Sequence, residues 1–328
     1  MRIPTKLCLA AAVGLSLHAA AWAKDDANWP TPTVTLVVGY GPGGTTDIFA
    51  RALADQLRTN TGKTFVVENK AGANSNIGAE QVTRAKKDGS VLFVATTANA
   101  INNSLYKNLR FDVRRDFQPV AKIAGVPNLL VVNGKSPIRS INDYLQVART
   151  KPDELTCASS GVGSGVHMSC ELFKIETGTK IRHIPYKGSA DAMNDLLGGQ
   201  VDSMFDNMPT VSTNVQAGSL RGLAVTTATR SKLFPQIPTV AESIGKDFAV
   251  ESWFGVFAPS GVNPNTLRQI NAEINKALQA PAFIKKLEDR GAILANTDAN
   301  SVASYTQFVH AELDKWKSVV TTLNLEMN

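Results

Sequence analysis

The sequence predicts an α/β protein of two lobes around a central cleft. Two observations carry that prediction. The same order of elements, strand, glycine-rich loop, helix, strand, helix, strand, occurs twice, about 120 residues apart. Long apolar runs flanking the second copy then read as strands that cross between two such units. The chain has 328 residues, 43% hydrophobic and 19% charged, enough to bury one large core or two ordinary ones.

The first copy opens on "TVTLVV", a β-branched run that reads as a strand. The loop "GYGPGGTTD" follows, then a helix from Ile48 to Thr59 with Ile48, Ala52 and Leu53 on its apolar side. "KTFVVEN" is the second strand, "NSNIGAEQVTRAKK" the second helix and "DGSVLFVATT" the third strand. In the second copy "ELTCAS" is a strand, "SSGVGSGVH" a second glycine loop and "MSCELFKIET" a helix. "KIRHIPYKG", "ADAMNDLLGG" and "QVDSMFDN" continue as strand, helix and strand. Parallel strands joined by crossover helices place the loops after their strands at one edge of the sheet, so each unit presents a ligand-binding edge. "FQPVAKIAGVPNLLVVNG", interrupted by Pro127, and "AVESWFGVFAPSG" flank the second unit and are the expected crossings. Two amphipathic helices, built on Leu267–Leu278 and Val302–Trp316, close the chain and are expected to return to the first lobe.

The N-terminus bears on compartment. "MRIPTK" is basic, "LCLAAAVGLSLHAAA" is apolar, and "AWA" at Ala21–Ala23 offers a small-residue cleavage site. These are the parts of a secretory signal peptide, expected over residues 1–23, and the apolar stretch is short for a membrane span. The net charge of +6 is scattered, with no basic run, which argues against nucleic acid and weakly favours small anions. Cys157 and Cys170 remain in the exported chain. An oxidising compartment favours a disulfide between them over two buried free thiols, and closing a loop of about 14 residues is worth roughly 3 kcal/mol. Their spacing is not a zinc pattern.

The loops carry the chemistry. Gly39, Gly41 and Gly44 spell G-x-G-x-x-G between a strand and a helix, with Glu68 near the position of a ribose-binding acid. An exported chain does not meet free nicotinamide cofactors, and no cofactor is expected. The same loop is an anion cradle. The backbone N–H groups at a helix start lack intrahelical partners, Gly43 and Gly44 permit close approach, and Thr45 and Thr46 add hydroxyls. The second loop repeats the device with Ser159, Ser160, Gly161 and Ser164, and His167 opens its helix. Two facing cradles make a clamp for a carboxylate or phosphate. Asp47 suits its helix N-terminus, Asp206 and Asn207 end a strand toward the cleft, His183 reads as a packing residue, and Lys187 is the one cation placed nearby. No serine stands in G-x-S-x-G and no base partners the acids, so an exported hydrolase is the weaker alternative.

The stretches "VGYGPGGTTDIFARALADQL", "VVENKAGANSNIGAE", "INNSLYKNLRFDVRRDFQPV", "HIPYKGSADAMNDLLGGQVDSMFDNMP" and "SWFGVFAPSG" resemble the Bug-type extracytoplasmic solute receptors of tripartite tricarboxylate transporters. The resemblance covers essentially the whole exported chain. It implies a two-lobe periplasmic-binding-protein fold, type II-like, with lobe 1 at 24–125 and 254–328 and lobe 2 at 126–253. It also implies a non-enzymatic periplasmic monomer that takes a small carboxylate to membrane transporter subunits, or to a signalling system. Carried over residue by residue, one pincer is Tyr40, Gly43, Gly44, Thr45, Thr46 and Asp47. The other is Ser159, Ser160, Gly161, Ser164 and His167, and Asp206 takes the cleft-facing acidic position. Asn99 would be the distal contact, at a place where Ala98 and Asn99 depart from the family's Thr-His. The cysteine pair is a further departure and implies a staple beside the second pincer.

Overall fold

The computed structural model describes residues 29–322 and 325–327. The expected signal peptide, residues 1–23, lies outside the described residues. The first unit is β1 (Thr33–Val38), α1 (Thr45–Thr61), β2 (Thr64–Asn69), α2 (Asn76–Thr83) and β3 (Val91–Thr96). β1 pairs in parallel with β2 on one side and β3 on the other, as crossover helices require. α3 (Thr97–Leu105) follows β3 directly because Thr96 caps it, and α4 (Val113–Asp116) leads into β4 (Phe117–Asn133). α5 (Ile141–Thr150) precedes the second unit, β5 (Thr156–Ser159), α6 (Gly165–Thr177), β6 (Arg182–Pro185), α7 (Ser189–Leu197) and β7 (Ser203–Asn207). Here β5 pairs in parallel with β6 and β7. Then come α8 (Met208–Gln216), β8 (Leu220–Val225), α9 (Val240–Ile244), β9 (Glu251–Pro259), α10 (Pro264–Leu278), α11 (Pro281–Glu288), β10 (Ile293–Leu294) and α12 (Val302–Thr322).

One strand joins the halves. From Phe117 to Pro127, β4 runs antiparallel to β9. From Asn128 it runs antiparallel to β7 and β8 instead. Pro127 has no N–H to donate and stands where the partner changes. The result is a curled sheet in the order β2-β1-β3-β9-β4-β7-β5-β6, in which each half is covered on both faces. In the first half α1, α10 and α11 bury Phe49, Leu53, Ile270 and Phe283 on one face, and α3 and α12 bury Ile101, Tyr305 and Trp316 on the other. In the second half α5 and α6 bury Tyr144 and Phe173, while α7 and α8 bury Leu196 and Val211. Parallel strands buried on both faces read as continuous apolar runs.

Several elements differ from the sequence expectation. α1 and α6 each begin three residues earlier than their apolar periodicity, because the loop residues Thr45 and Gly165 already follow the helix. α3, α5, α8 and α11 were not anticipated. The first glycine of the opening loop has a steric role: a Cβ on Gly39 would overlap the Ser75 side chain, which packs against it.

The expected disulfide is absent and is corrected here. Cys157 on β5 and Cys170 on α6 are free, fully buried thiols in the cluster around Tyr144, Phe173 and Phe205. They serve as small apolar fillers between strand and helix, with hydrogen bonding between the two side chains. That bond, then burial, pushes the Cys170 thiol well above its ordinary range and keeps it protonated. Reducing agent should therefore leave the melting temperature unchanged, and a thiol reagent should label Cys157 and Cys170 only after denaturation. A drop in melting temperature on reduction would restore the bridge.

Candidate functional site

A cleft of about 410 Å³, counting the space at its mouth, lies between the two halves. Tyr40, Gly44, Thr45 and Thr46 wall it from the first glycine loop, and Thr96, Thr97 and Ala98 from the end of β3 and start of α3. Ser160, Ser164, Gly165 and Val166 face them from the second loop, with Ser189 and Asn207 beside these. Ser252 and Phe254 on β9 also line it. Thr45 Oγ1 meets Thr210 Oγ1 at 2.6 Å, a hydroxyl contact between the halves.

The wall has a common construction. Gly44, Thr96, Ser164 and Asn207 are the cap residues before α1, α3, α6 and α8, and Ser189 is the first residue of α7. Five helix starts thus converge on one space. Each brings unpartnered N–H groups and the positive end of a macrodipole. No charged side chain lines the cleft among the described residues. Among the lining groups, positive partial charge comes from the backbone at the helix starts, with hydroxyls as directional donors.

Of the expected site residues, Tyr40, Gly44, Thr45, Thr46, Ser160 and Ser164 line this cleft. Gly43, Asp47, Asn99, Ser159, Gly161, His167 and Asp206 do not line it. Asp47 turns away from the cleft: Oδ2 accepts from the Gly43 N–H at 3.0 Å and from Arg51 Nε at 2.9 Å, and Oδ1 from Asn69 Nδ2 at 3.0 Å. Burial works against its charge, but these donors prevail and hold its pKa below the ordinary value. Gly43 takes φ +88°, the left-handed region, which lets its N–H reach Asp47. Asn99 completes a capping box, its Oδ1 accepting from the Thr96 N–H at 2.8 Å, so it fixes the start of α3. Tyr40 donates its hydroxyl to Asn74 Oδ1 at 2.9 Å, and burial raises its phenol well above the ordinary value.

Behind the second loop lies a polar cluster. Ser159 is fully buried; its Oγ accepts from the Gly161 N–H at 3.2 Å and meets His183 Nε2 at 2.6 Å. His167 accepts the Gly163 N–H on Nδ1 at 3.1 Å, and its Nε2 lies 3.2 Å from Glu171 Oε1. Both ring nitrogens are therefore committed, and His167 positions the loop without facing the cleft. The His167 and His183 rings pack with centroids 3.9 Å apart. Burial, then the neighbouring His167, lowers His183 to about 3, so His183 is neutral. Burial opposes the charge of Glu171, but hydrogen bonds from His167 and Lys174 outweigh it and bring that carboxyl to about 2. Gly161 and the exposed Lys187 line a separate hollow that also touches Ser160.

Sequence reasoning missed Thr96, Thr97, Ser189, Ser252 and Phe254. A usable signal existed for the first, since Thr96 and Asn99 carry capping-box spacing directly after a strand. Ser252 reaches the cleft only because β9 crosses beneath it.

Asp206, the penultimate residue of β7, has no exposed surface. Its Oδ1 accepts from Ser189 Oγ and from the Asn207 N–H, each at 2.8 Å, while Oδ2 has no partner. Burial outweighs those two bonds and raises its pKa to about 7. Between about pH 4 and that value the folded chain binds this proton more tightly than the unfolded chain. Stability of the ligand-free protein should accordingly fall as pH rises through this window, by at most roughly 4 kcal/mol from this group. Denaturant titration of Asp206→Asn at several pH values checks this: the variant should lose that part of the fall, and an identical pH profile would exclude it.

The comparisons agree with this geometry. A family model described as "Tripartite tricarboxylate transporter family receptor" matches residues 49–325. The structure of periplasmic binding protein BugD superposes with a TM-score of 0.88 at 31% identity, over 92% of this chain and 100% of its own. R. palustris Rpa4515, solved with adipate, gives 0.85 at 36% identity, over 91% and 99%. MatC (Rpa3494) from Rhodopseudomonas palustris, with bound malate, gives 0.84 at 28% identity, over 89% and 100%. A periplasmic-binding-protein fold, a cleft ringed by helix starts and a family match over most of its length together make this chain a member of the tripartite tricarboxylate transporter receptors, the Bug-type solute-binding proteins.

Proposed function

We propose that this receptor captures a small organic dicarboxylate in the interlobe cleft and delivers it to the membrane subunits of a tripartite tricarboxylate transporter. The carrying observation is the convergence of five helix starts on a space that no charged side chain lines among the described residues. Such a site favours an anion, and its backbone donors suit the planar, two-oxygen geometry of a carboxylate. Adipate and malate, present in two similar structures, are dicarboxylates, which supports that class here. The chain works as an exported periplasmic monomer. Its lobes, drawn at 24–125 with 254–328 and at 126–253, close about the crossing strands β4 and β9 in a hinge motion. Tyr40, Gly43, Gly44, Thr45, Thr46 and Asp47 form or support one pincer, and Ser159, Ser160, Gly161, Ser164 and His167 the other. Asn99 acts through the α3 cap.

A hydrolytic reading finds little support in the geometry. The Ser159–His183 pair has the spacing of a nucleophile and its base, but Ser159 Oγ is sealed from the cleft and bonded within its own loop. A sensor would use the same cleft, and neighbouring genes for a permease or a kinase separate the two roles.

Hydrogen bonds to a charged group contribute about 1.5–3 kcal/mol each. Thr46→Ala and Ser160→Ala should each weaken malate or adipate binding by about tenfold or more, with little change in melting temperature. Titration calorimetry on both variants checks this, and unchanged affinity in both would remove the pincer assignment.

A further inference from the structure

We propose that the cleft takes up a proton together with its anion, and that Asp206 holds that proton. This rests on the carboxylate reading of the cleft given above. Asp206 has no exposed surface, and only Oδ1 is hydrogen-bonded. The two groups that bond it, Ser189 and Asn207, are themselves cleft-wall residues. A bound anion and Asp206 therefore lie on opposite sides of a single layer of side chains.

Among the described residues no counter-charge compensates Asp206. The β4 segment paired with β7, Asn128–Val132, carries no titratable group, and neither does α8. β5 brings Cys157, whose thiol donates to the Ala158 carbonyl. α6 brings His167, Cys170, Glu171, Lys174 and Glu176; Glu171 is held by His167 and Lys174, Glu176 pairs with Lys246, and Cys170 pairs with Cys157. α7 brings Asp191 and Asp195, the latter accepting from the Tyr186 hydroxyl. None of these is hydrogen-bonded or ion-paired to Asp206, whose surroundings are burial and two neutral donors.

Two negative charges facing each other across a buried layer repel strongly. Protonating Asp206 removes that repulsion and leaves its two Oδ1 hydrogen bonds in place. Linkage then makes the effect reciprocal: an anion in the cleft tightens the proton on Asp206, and the proton tightens the anion. Each bound anion brings up to one proton with it, so the receptor's affinity follows the acidity of its surroundings.

The test is titration calorimetry of the exported chain with malate and with adipate, from about pH 6.5 to 8.5, above the usual carboxyl range of the ligands. Each titration is run in two buffers of different ionisation enthalpy. Above the free Asp206 midpoint, Kd should rise toward tenfold per pH unit, and the heats should differ between buffers by the protons taken up. Asp206→Asn keeps an acceptor for Ser189 and Asn207 and should show neither effect. A second measurement on the unmutated chain covers the case in which that variant fails to fold. Its infrared spectrum with saturating malate at neutral pH should contain the carbonyl band of a buried protonated acid. Binding without proton uptake and with a flat Kd would overturn the proposal and leave the receptor reading standing. If neither dicarboxylate binds at any pH, the dicarboxylate reading falls and this proposal with it.

Discussion

Backbone N–H groups left over at helix starts are the constraint on which this molecule depends. A helix cannot satisfy its first donors internally, and burying them without partners is costly. Here α1, α3, α6, α7 and α8 all begin at one cleft, so the fold gathers that unmet demand in one place. Parallel strands with crossover helices make this unavoidable, since every helix start lies at the same sheet edge as its neighbours. Turning the two edges toward each other then needs only a strand that belongs to both halves. β4 is that strand, and it changes partners at Pro127 and Asn128.

The side chains behind the wall do a different job from those in it. Asp47 holds Gly43, Ser159 holds Gly161, and His167 holds Gly163. Each polar residue fixes the backbone of a glycine in its own loop, and in each case the glycine adopts positive φ. Glycine supplies the conformation and the buried acceptor removes the freedom that comes with it. The loops are thereby held ready before any ligand arrives, which lowers the ordering cost of binding.

Much of this was legible from residues alone. β-branched apolar runs marked β1, β2 and β3, while β5 and β7 were placed by the repeated order of strand, glycine loop and helix. The two glycine loops were visible because close approach to a ligand needs them. Short helices escaped: α3 and α5 start from capping boxes at Thr96 and Ser140, signals of a few atoms that weigh little against periodicity. The direction in which Asp47 and His167 point was also hidden, since it depends on Asn69, Arg51 and Glu171 as much as on their own loops. The thiols show the limit of compartment reasoning. An oxidising setting makes a bridge available, whereas the packing of β5 against α6 uses Cys157 and Cys170 as core volume.

The contact between Thr45 and Thr210 has a kinetic consequence. At this point the lobes touch through two neutral hydroxyls, each of which water can replace at small cost. No ion pair between Thr45 and Thr210 must be dismantled for that contact to open. Residence time then depends chiefly on how firmly the guest itself bridges the two halves, so a poorly fitting molecule leaves quickly and a well-fitting one keeps the door shut behind it.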